Sequence, residues 1–154
     1  MNKGLFLFLI LGGNIFTVIA VALAQDPKTT EMIAAVPVGL LLAAIGNLVM
    51  IYKMWAAIQG PTARTSPGKA VGFLFIPIFN IYWLFNVLGG WATDYEKYRA
   101  AKGLAGAPQA SSGLLVGYAV MTFISIPVLN WIIQGMAISN VANCVNGLKA
   151  AQGR

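Results

Sequence analysis

The chain has 154 residues, of which 58% are hydrophobic and only 9% are charged. A soluble domain carries roughly 25% charged residues, so lipid rather than water surrounds most of this chain. The net charge is +6, there is no histidine and Cys144 is the one cysteine, which excludes an internal disulfide and an ordinary zinc site. Because the basic residues stand between apolar segments, they indicate membrane topology rather than nucleic-acid binding.

The first apolar segment, about residues 5–24, predicts a membrane-spanning helix. Ala22 and Ala24 before Gln25 fit the small-residue pattern of a signal-peptide cleavage site. The apolar run is longer than the roughly 7–15 residues typical of a signal peptide, which favours a retained helix.

The second span is expected at about residues 33–58, after a polar turn. Asn47 lies within it, and Gly39 and Ala43, four residues apart, offer a small-residue face for close helix packing. Three residues near its end are typical of an anchor at the membrane surface: Tyr52, Lys53 and Trp55.

The third and fourth spans are expected at about residues 70–92 and 114–138, interrupted by Pro77 and Pro127. The sequence therefore predicts one all-α integral membrane domain over residues 1–154, a bundle of four transmembrane helices. A second geometry stays open: each proline could turn the chain back, so that residues 70–76 and 113–125 form half-helices of re-entrant segments.

Both interruptions have the form Pro-x-x-Asn, with Asn80 and Asn130 as the amides. Proline removes one helical donor and blocks a carbonyl, and the amide can bond to the freed backbone or to another helix. This pattern favours helix packing, with a solute or ion site as the alternative. Tyr82 and Trp83 lie at mid-span, so we expect Asn47, Asn80 or Asn130 near one of them. Thr122 and Ser125 are expected to hydrogen-bond helix backbone.

The basic loop before the third span contains Arg64 and Lys69, which serve topology or contact an anionic lipid headgroup. With four spans, six cations lie on one side of the membrane and four on the other, together with all four acids. This bias predicts that both termini are cytoplasmic. The four cations on the acidic side are Lys28, Lys97, Arg99 and Lys102.

Several motifs resemble a family of small bacterial multi-spanning membrane proteins of unknown function, some of which are fused to a GYF-type domain. The main motif is Phe75-Ile-Pro-Ile-Phe-Asn-Ile-Tyr-Trp83, preceded by Arg64-Thr-Ser-Pro-Gly-Lys69 and followed by Gly89-Gly-Trp-Ala-Thr-Asp-Tyr95. The resemblance covers roughly the last two-thirds of the chain. It implies a location in the bacterial inner membrane and a helical fold, and it implies no activity.

The spans lack the carboxylate or histidine that catalysis or proton coupling would require, so we expect neither an enzyme nor a cofactor. The favoured function is a structural or accessory protein that packs against lipid, another membrane protein or a second copy of itself. The alternative is a small channel or uniporter whose polar path follows Asn47, Asn80 and Asn130.

Overall fold

The computed structural model describes residues 1–124 and 126–153, and this part of the chain contains helices and no strand. The chain divides into two compact units. One unit is Asn2–Met50, and the other is Ile51–Arg154 together with Met1.

Two long apolar helices begin the chain. Helix α1 runs over Lys3–Leu23, and Phe8–Gly12 within it form a π-helical turn. Helix α2 runs over Thr30–Ala56, and its first residues, Thr30–Ala35, are wound as a 3₁₀ helix. Each is long and apolar enough to cross a membrane.

Within the Asn2–Met50 unit, α1 and α2 pack antiparallel through glycines. A Cβ atom on Gly13 would lie 2.6 Å from the Gly39 carbonyl oxygen and 2.9 Å from the Ala43 nitrogen. A Cβ on Gly46 would lie 2.8 Å from Ile10. Only glycine lets the two backbones approach this closely, so the predicted small-residue face at Gly39 and Ala43 is where the helices meet.

In its described residues, the second unit contains four further α-helices in two antiparallel pairs. Helix α3 is short, because Phe73–Phe75 after it tightens into a 3₁₀ turn and the chain then breaks at Pro77. Helix α6 begins at Pro127, where the missing amide donor costs nothing. The helices are α3 (Pro67–Gly72), α4 (Phe79–Ala101), α5 (Ser112–Met121) and α6 (Pro127–Gln152).

The chain doubles back at Pro77. The Trp83 indole nitrogen donates to the Ala70 carbonyl oxygen at 2.9 Å, and Arg64 pairs with Asp94. In a straight helix, thirteen residues would separate Ala70 from Trp83 by about 20 Å. Residues 64–101 therefore form a first hairpin, whose incoming arm lies against α4.

The tip of the first hairpin is a tight three-residue turn. Ile78 has φ 67° and ψ −49°, and the Phe79 nitrogen donates to the Pro77 carbonyl oxygen at 2.7 Å. These are the features of a γ-turn, a strained conformation for a β-branched residue. The turn reverses the chain while closing one of its own backbone hydrogen bonds.

Residues 108–124 and 126–152 form a second hairpin. The Ser111 nitrogen donates to Asn140 Oδ1 at 3.2 Å, and Gly117 faces Ile133 nearer the tip. The hydroxyl of Thr122 donates to the Tyr118 carbonyl oxygen at 3.1 Å, which confirms the backbone bond predicted for that residue. The same prediction for Ser125 falls outside the described residues.

The third and fourth predicted spans differ from the observed helices. Residues 70–92 and 114–138 are not continuous helices, because each segment turns back at its proline-containing break. In the described residues, three helices are long and apolar enough to cross a membrane, so a bundle of four spanning helices is not confirmed. They are Lys3–Leu23, Thr30–Ala56 and Pro127–Gln152.

Candidate functional site

The base of the first hairpin is held by a buried carboxylate. Asp94 is 2% exposed, and it accepts hydrogen bonds from the backbone nitrogen, Nε and Nη2 of Arg64, each at 2.9 Å. Lys97 lies 4.0 Å away on the next turn. The two-point contact between guanidinium and carboxylate fixes the incoming arm against α4.

The electrostatics of this pair favour the charged state of both partners. Burial by itself would raise the pKa of Asp94, but the hydrogen bonds from the Arg64 side chain and backbone outweigh it and hold that pKa below its ordinary value. The hydrogen bond to Asp94 likewise raises the pKa of Arg64. The pair therefore remains ionised at neutral pH.

Two tryptophans join the end of α2 to α4. The indole nitrogen of Trp91 donates to the Met54 carbonyl oxygen at 2.7 Å, and that of Trp55 donates to the Val87 carbonyl oxygen at 3.1 Å. Both rings are fully buried. The prediction that Trp55 is an anchor at the membrane surface is therefore wrong, because its indole nitrogen has a backbone partner inside the protein. Tyr52, from the same predicted anchor, is exposed.

The loop between α4 and α5 is tied down by side chains of α4. The Ala110 nitrogen donates to Glu96 Oε1 at 2.8 Å, and Arg99, paired with Glu96, donates to the Ala107 carbonyl oxygen. The Tyr95 hydroxyl donates to the Pro108 carbonyl oxygen at 2.8 Å. These bonds hold the loop at the same end of α4 as the Arg64–Asp94 pair.

The base of the second hairpin is closed by α6. Asn140 donates to the Gln109 carbonyl oxygen and accepts from Ser111. Cys144 is buried, and its thiol lies 3.4 Å from the Gln109 carbonyl oxygen. Both hairpins therefore have a polar, hydrogen-bonded base.

The tips of both hairpins are apolar and exposed, in contrast to the bases. Ile78 is 85% exposed, and its neighbours on the tip are also large hydrophobic side chains. Patches of this kind mark contact with lipid or with another protein. The exposed tip residues are Phe75, Ile76, Ile78, Ile81 and Tyr82 in the first hairpin and Phe123, Ile124, Ile126, Val128 and Ile132 in the second.

Of the three predicted amides, Asn47 belongs to the Asn2–Met50 unit, and Asn80 and Asn130 belong to the other unit. Asn47 donates to the Ala43 carbonyl oxygen one turn earlier on α2. Asn80 and Asn130 lie in the first turns of α4 and α6, where their backbone nitrogens donate to Ile76 and Ile126. Asn130 Oδ1 is buried without a hydrogen-bond partner, so the amide of Asn80 does not reach it.

The remaining predicted site residues have separate surroundings. Trp83 donates to the Ala70 backbone rather than to an amide side chain, and Tyr82 is exposed. Arg64 is engaged with Asp94, so the headgroup contact predicted for Arg64 and Lys69 stays a prediction that rests chiefly on Lys69, whose side chain is exposed.

Sequence reasoning missed the residues that hold the hairpin bases together, above all Asp94, Tyr95 and Glu96. A signal for Asp94 existed: an acid beside an apolar segment, with an arginine in the preceding loop, predicts an ion pair if the chain turns back. The spacing alone did not identify the turn, because a proline within an apolar run is compatible with a kink or with a reversal.

Comparison of the chain with family models, with curated proteins and with solved structures found no match. The class of protein therefore rests on the fold. Helices of this length and hydropathy indicate a helical membrane protein.

Proposed function

We propose that the chain is a structural or accessory protein of the bacterial inner membrane, with one transmembrane hairpin, α1–α2, and two hairpins that enter the membrane and return on the same side. The observation that carries this proposal is the hydrogen bond between Trp83 and Ala70, which requires the chain to reverse at Pro77. The exposed apolar tips would then lie in lipid, and the polar bases would lie at the membrane surface.

The lengths of the hairpin helices support hairpins that enter the membrane without crossing it. Phe79 to Asp94 spans about 22 Å of helix, and Pro127 to Asn140 spans about 20 Å. The hydrocarbon core is about 30 Å thick, so each tip ends within the bilayer. The backbone at the first tip is closed by its own hydrogen bonds, from Phe79 to Pro77 and from Asn80 to Ile76, which a lipid environment demands.

This topology also explains the distribution of charge. It places nine of the ten lysines and arginines on one side of the membrane, whereas four full spans place six there. Lys28, in the turn between α1 and α2, is the one cation on the other side. Such a bias favours a cytoplasmic location for both termini and for the loop at residues 102–111.

The role proposed for the protein follows from what its membrane surface offers. Among the described residues, the tips present large apolar side chains and no ionisable group other than the Tyr82 phenol, which suits contact with acyl chains or with the apolar surface of another membrane protein. The resemblance to small bacterial multi-spanning membrane proteins agrees with the proposed location in the membrane. The alternative, a small channel or uniporter with a polar path at the two Pro-x-x-Asn breaks, stays a second proposal, and the buried Asn130 Oδ1 without a hydrogen-bond partner is the observation that favours it.

Labelling of single cysteines tests the proposal. Two single-cysteine variants, Lys28→Cys and Lys102→Cys, are made in a Cys144→Ala background. The labelling of these two positions distinguishes the topologies. Intact spheroplasts are treated with a membrane-impermeant maleimide. Re-entrant hairpins predict that position 28 is labelled and that position 102 is labelled only after the membrane is opened.

Four full spans predict a different result, in which positions 28 and 102 are both labelled in intact spheroplasts. That outcome would overturn the re-entrant topology. Lys53→Cys serves as the matched control, because both topologies place it on the cytoplasmic side.

A further inference from the structure

A cavity of about 320 Å³ lies in the second unit, between the loop that follows α2 and the end of α4. A Cβ atom on Gly60 of the loop would lie 3.9 Å from the Tyr98 ring, so the two walls face each other closely. Within residues 1–124 and 126–153, no acidic side chain lines the cavity. The lining residues are Gln59, Gly60, Pro61, Thr62, Tyr98, Ala101 and Lys102.

Hydrogen bonds fix both walls of this cavity. The side-chain nitrogen of Gln59 donates to the carbonyl oxygens of Trp55 at 2.8 Å and of Thr65 at 3.2 Å, which ties the loop to the end of α2. On the other wall, the side-chain nitrogen of Gln152 donates to the Tyr98 hydroxyl oxygen at 2.9 Å. The cavity is therefore a preformed feature of the fold, as ligand sites usually are.

Three side chains of the cavity have hydrogen-bond donors that no described residue accepts. The Tyr98 hydroxyl accepts from Gln152, so its own hydrogen is left for another acceptor. Lys102 forms no ion pair with a carboxylate in the described part of the chain. The hydroxyl oxygen of Thr62 is buried and has no hydrogen-bond partner there either. An ammonium group and two hydroxyls with unused hydrogens favour a ligand that is an acceptor with negative charge.

The charge of Lys102 decides the sign of the ligand. The carbonyl end of α4 lies beside the cavity, and its partial charge of about half an electron disfavours an anion. The Lys102 ammonium carries a full positive charge at the same end and outweighs it. Glu96, the acid two turns earlier on α4, is paired with Arg99 and accepts from the Ala110 nitrogen, so its charge is already compensated.

We propose that Lys102 and Tyr98 form a binding site for a phosphate group, either of an anionic phospholipid headgroup or of a free phosphate compound. The ammonium and the phenol hydroxyl donate hydrogen bonds to phosphate oxygens, and the ammonium bond is charge-assisted. The small wall at Gly60, Pro61 and Ala101 leaves room for the carbons next to the phosphate. Lys102 follows the polar base of the first hairpin, which the proposed topology places at the membrane surface, where headgroups are found.

The test measures ligand affinity of the purified full chain in a neutral detergent. The probes are short-chain phosphatidylglycerol, phosphatidylcholine of the same chain length and inorganic phosphate. The proposal predicts saturable binding of phosphatidylglycerol or phosphate, about tenfold weaker in Lys102→Gln and about fivefold weaker in Tyr98→Phe. The matched controls are Lys69→Gln and Tyr52→Phe, which remove an exposed cation and an exposed hydroxyl outside the cavity. Both should leave the affinity within about twofold.

The probes separate the two sources of phosphate. Binding of phosphatidylglycerol without binding of inorganic phosphate identifies a headgroup site, and binding of inorganic phosphate identifies a site for free phosphate compounds. Equal binding of phosphatidylglycerol and phosphatidylcholine would show no selection for net negative charge and would overturn the proposal. The absence of saturable binding by any probe would do the same, as would a loss in Lys69→Gln as large as the loss in Lys102→Gln.

A charge-preserving variant separates binding from folding. Lys102→Arg keeps the positive charge and should retain binding within about threefold. If Lys102→Gln is unfolded, the comparison of Tyr98→Phe with Tyr52→Phe still decides, because loss of one hydroxyl leaves the ring in place. Unchanged affinity in Tyr98→Phe would place the ligand elsewhere and overturn the proposal. None of these results changes the labelling predicted at position 28, because that position lies outside the unit that contains the cavity.

Discussion

At the scale of single residues, the Arg64–Asp94 pair shows how one ion pair fixes a hairpin. Asp94 is buried, whereas the Arg64 side chain is 39% exposed. The two partners are therefore not equivalent. Loss of the arginine leaves a buried charge without its counterion, and loss of the carboxylate leaves a guanidinium that water can reach.

We predict that Arg64→Ala lowers the free energy of unfolding by about 3 kcal/mol, because it strands the buried carboxylate of Asp94. Thermal or denaturant unfolding in detergent measures this change. Lys69→Ala, an exposed cation in the same hairpin, is the control and should cost less than about 0.5 kcal/mol. Adding Asp94→Asn to Arg64→Ala should restore part of the loss, and a double variant as unstable as the sum of the two would contradict this account.

The same pair predicts how stability depends on pH. The pKa of Asp94 is lower in the folded protein than in the unfolded chain, where it is about 3.9. Its contribution to stability is therefore complete above that value and is lost as the pH falls towards the folded pKa. Unfolding temperatures at pH 7 and pH 3 should differ more for the wild type than for Asp94→Asn, and equal differences would exclude Asp94 as the responsible group.

At the scale of elements, α1 and α2 depend on glycine at specific positions rather than on glycine content. A Cβ at Gly13 would meet the Gly39 backbone at 2.6 Å, whereas a Cβ at the neighbouring Gly12 would meet only the Phe8 ring, at 3.7 Å. The two adjacent glycines therefore form a matched pair for mutation.

Gly13→Ala should destabilise the protein by about 2 kcal/mol, because the new methyl group forces the two helices apart. Gly12→Ala should change stability by less than about 1 kcal/mol, and a small gain is expected from its higher helix propensity. Unfolding in detergent compares the two variants. Similar losses for both would mean that the close approach of α1 and α2 does not contribute to stability.

The elements also show what could be predicted from the sequence. Apolar length identified α1 and α2 with boundaries close to those observed, and the predicted breaks coincide with the start of α6 at Pro127 and with the turn before α4. The direction of the chain after Pro77 was left open by the sequence. It depends on contacts between distant residues, such as Arg64 with Asp94 and Trp83 with Ala70, which local spacing does not encode.

The candidate site was predicted less well than the fold. Asn80 and Asn130 were chosen because an amide in lipid needs a partner, and the structure places both in the first turn of a helix, α4 and α6. Asp94, Glu96 and Tyr95, just beyond the predicted span, each make a hydrogen bond to a distant part of the chain. Hydropathy does not reveal these bonds, because it measures polarity and not the contacts that bury a polar group.

At the scale of the whole molecule, the proposed topology predicts the location of both ends of α2 and of the C terminus. Green fluorescent protein fused after residue 154 should fluoresce, and alkaline phosphatase fused there should be inactive, because the proposed topology places the C terminus in the cytoplasm. Alkaline phosphatase inserted in the turn at residues 25–29 should be active. The reverse pattern would show that the cation bias does not set the orientation of this protein.

In the proposed topology, both hairpins begin and end on the same side of the membrane, which changes what must cross the membrane when the protein is made. With four full spans, the segment around Asp94, Glu96, Lys97, Arg99 and Lys102 would have to be translocated during biogenesis. In the re-entrant topology, the one polar segment to cross is the short turn around Asp26, Lys28 and Glu31. The two hairpins could then insert directly from the ribosomal side, and their synthesis would not require the export of a charged loop.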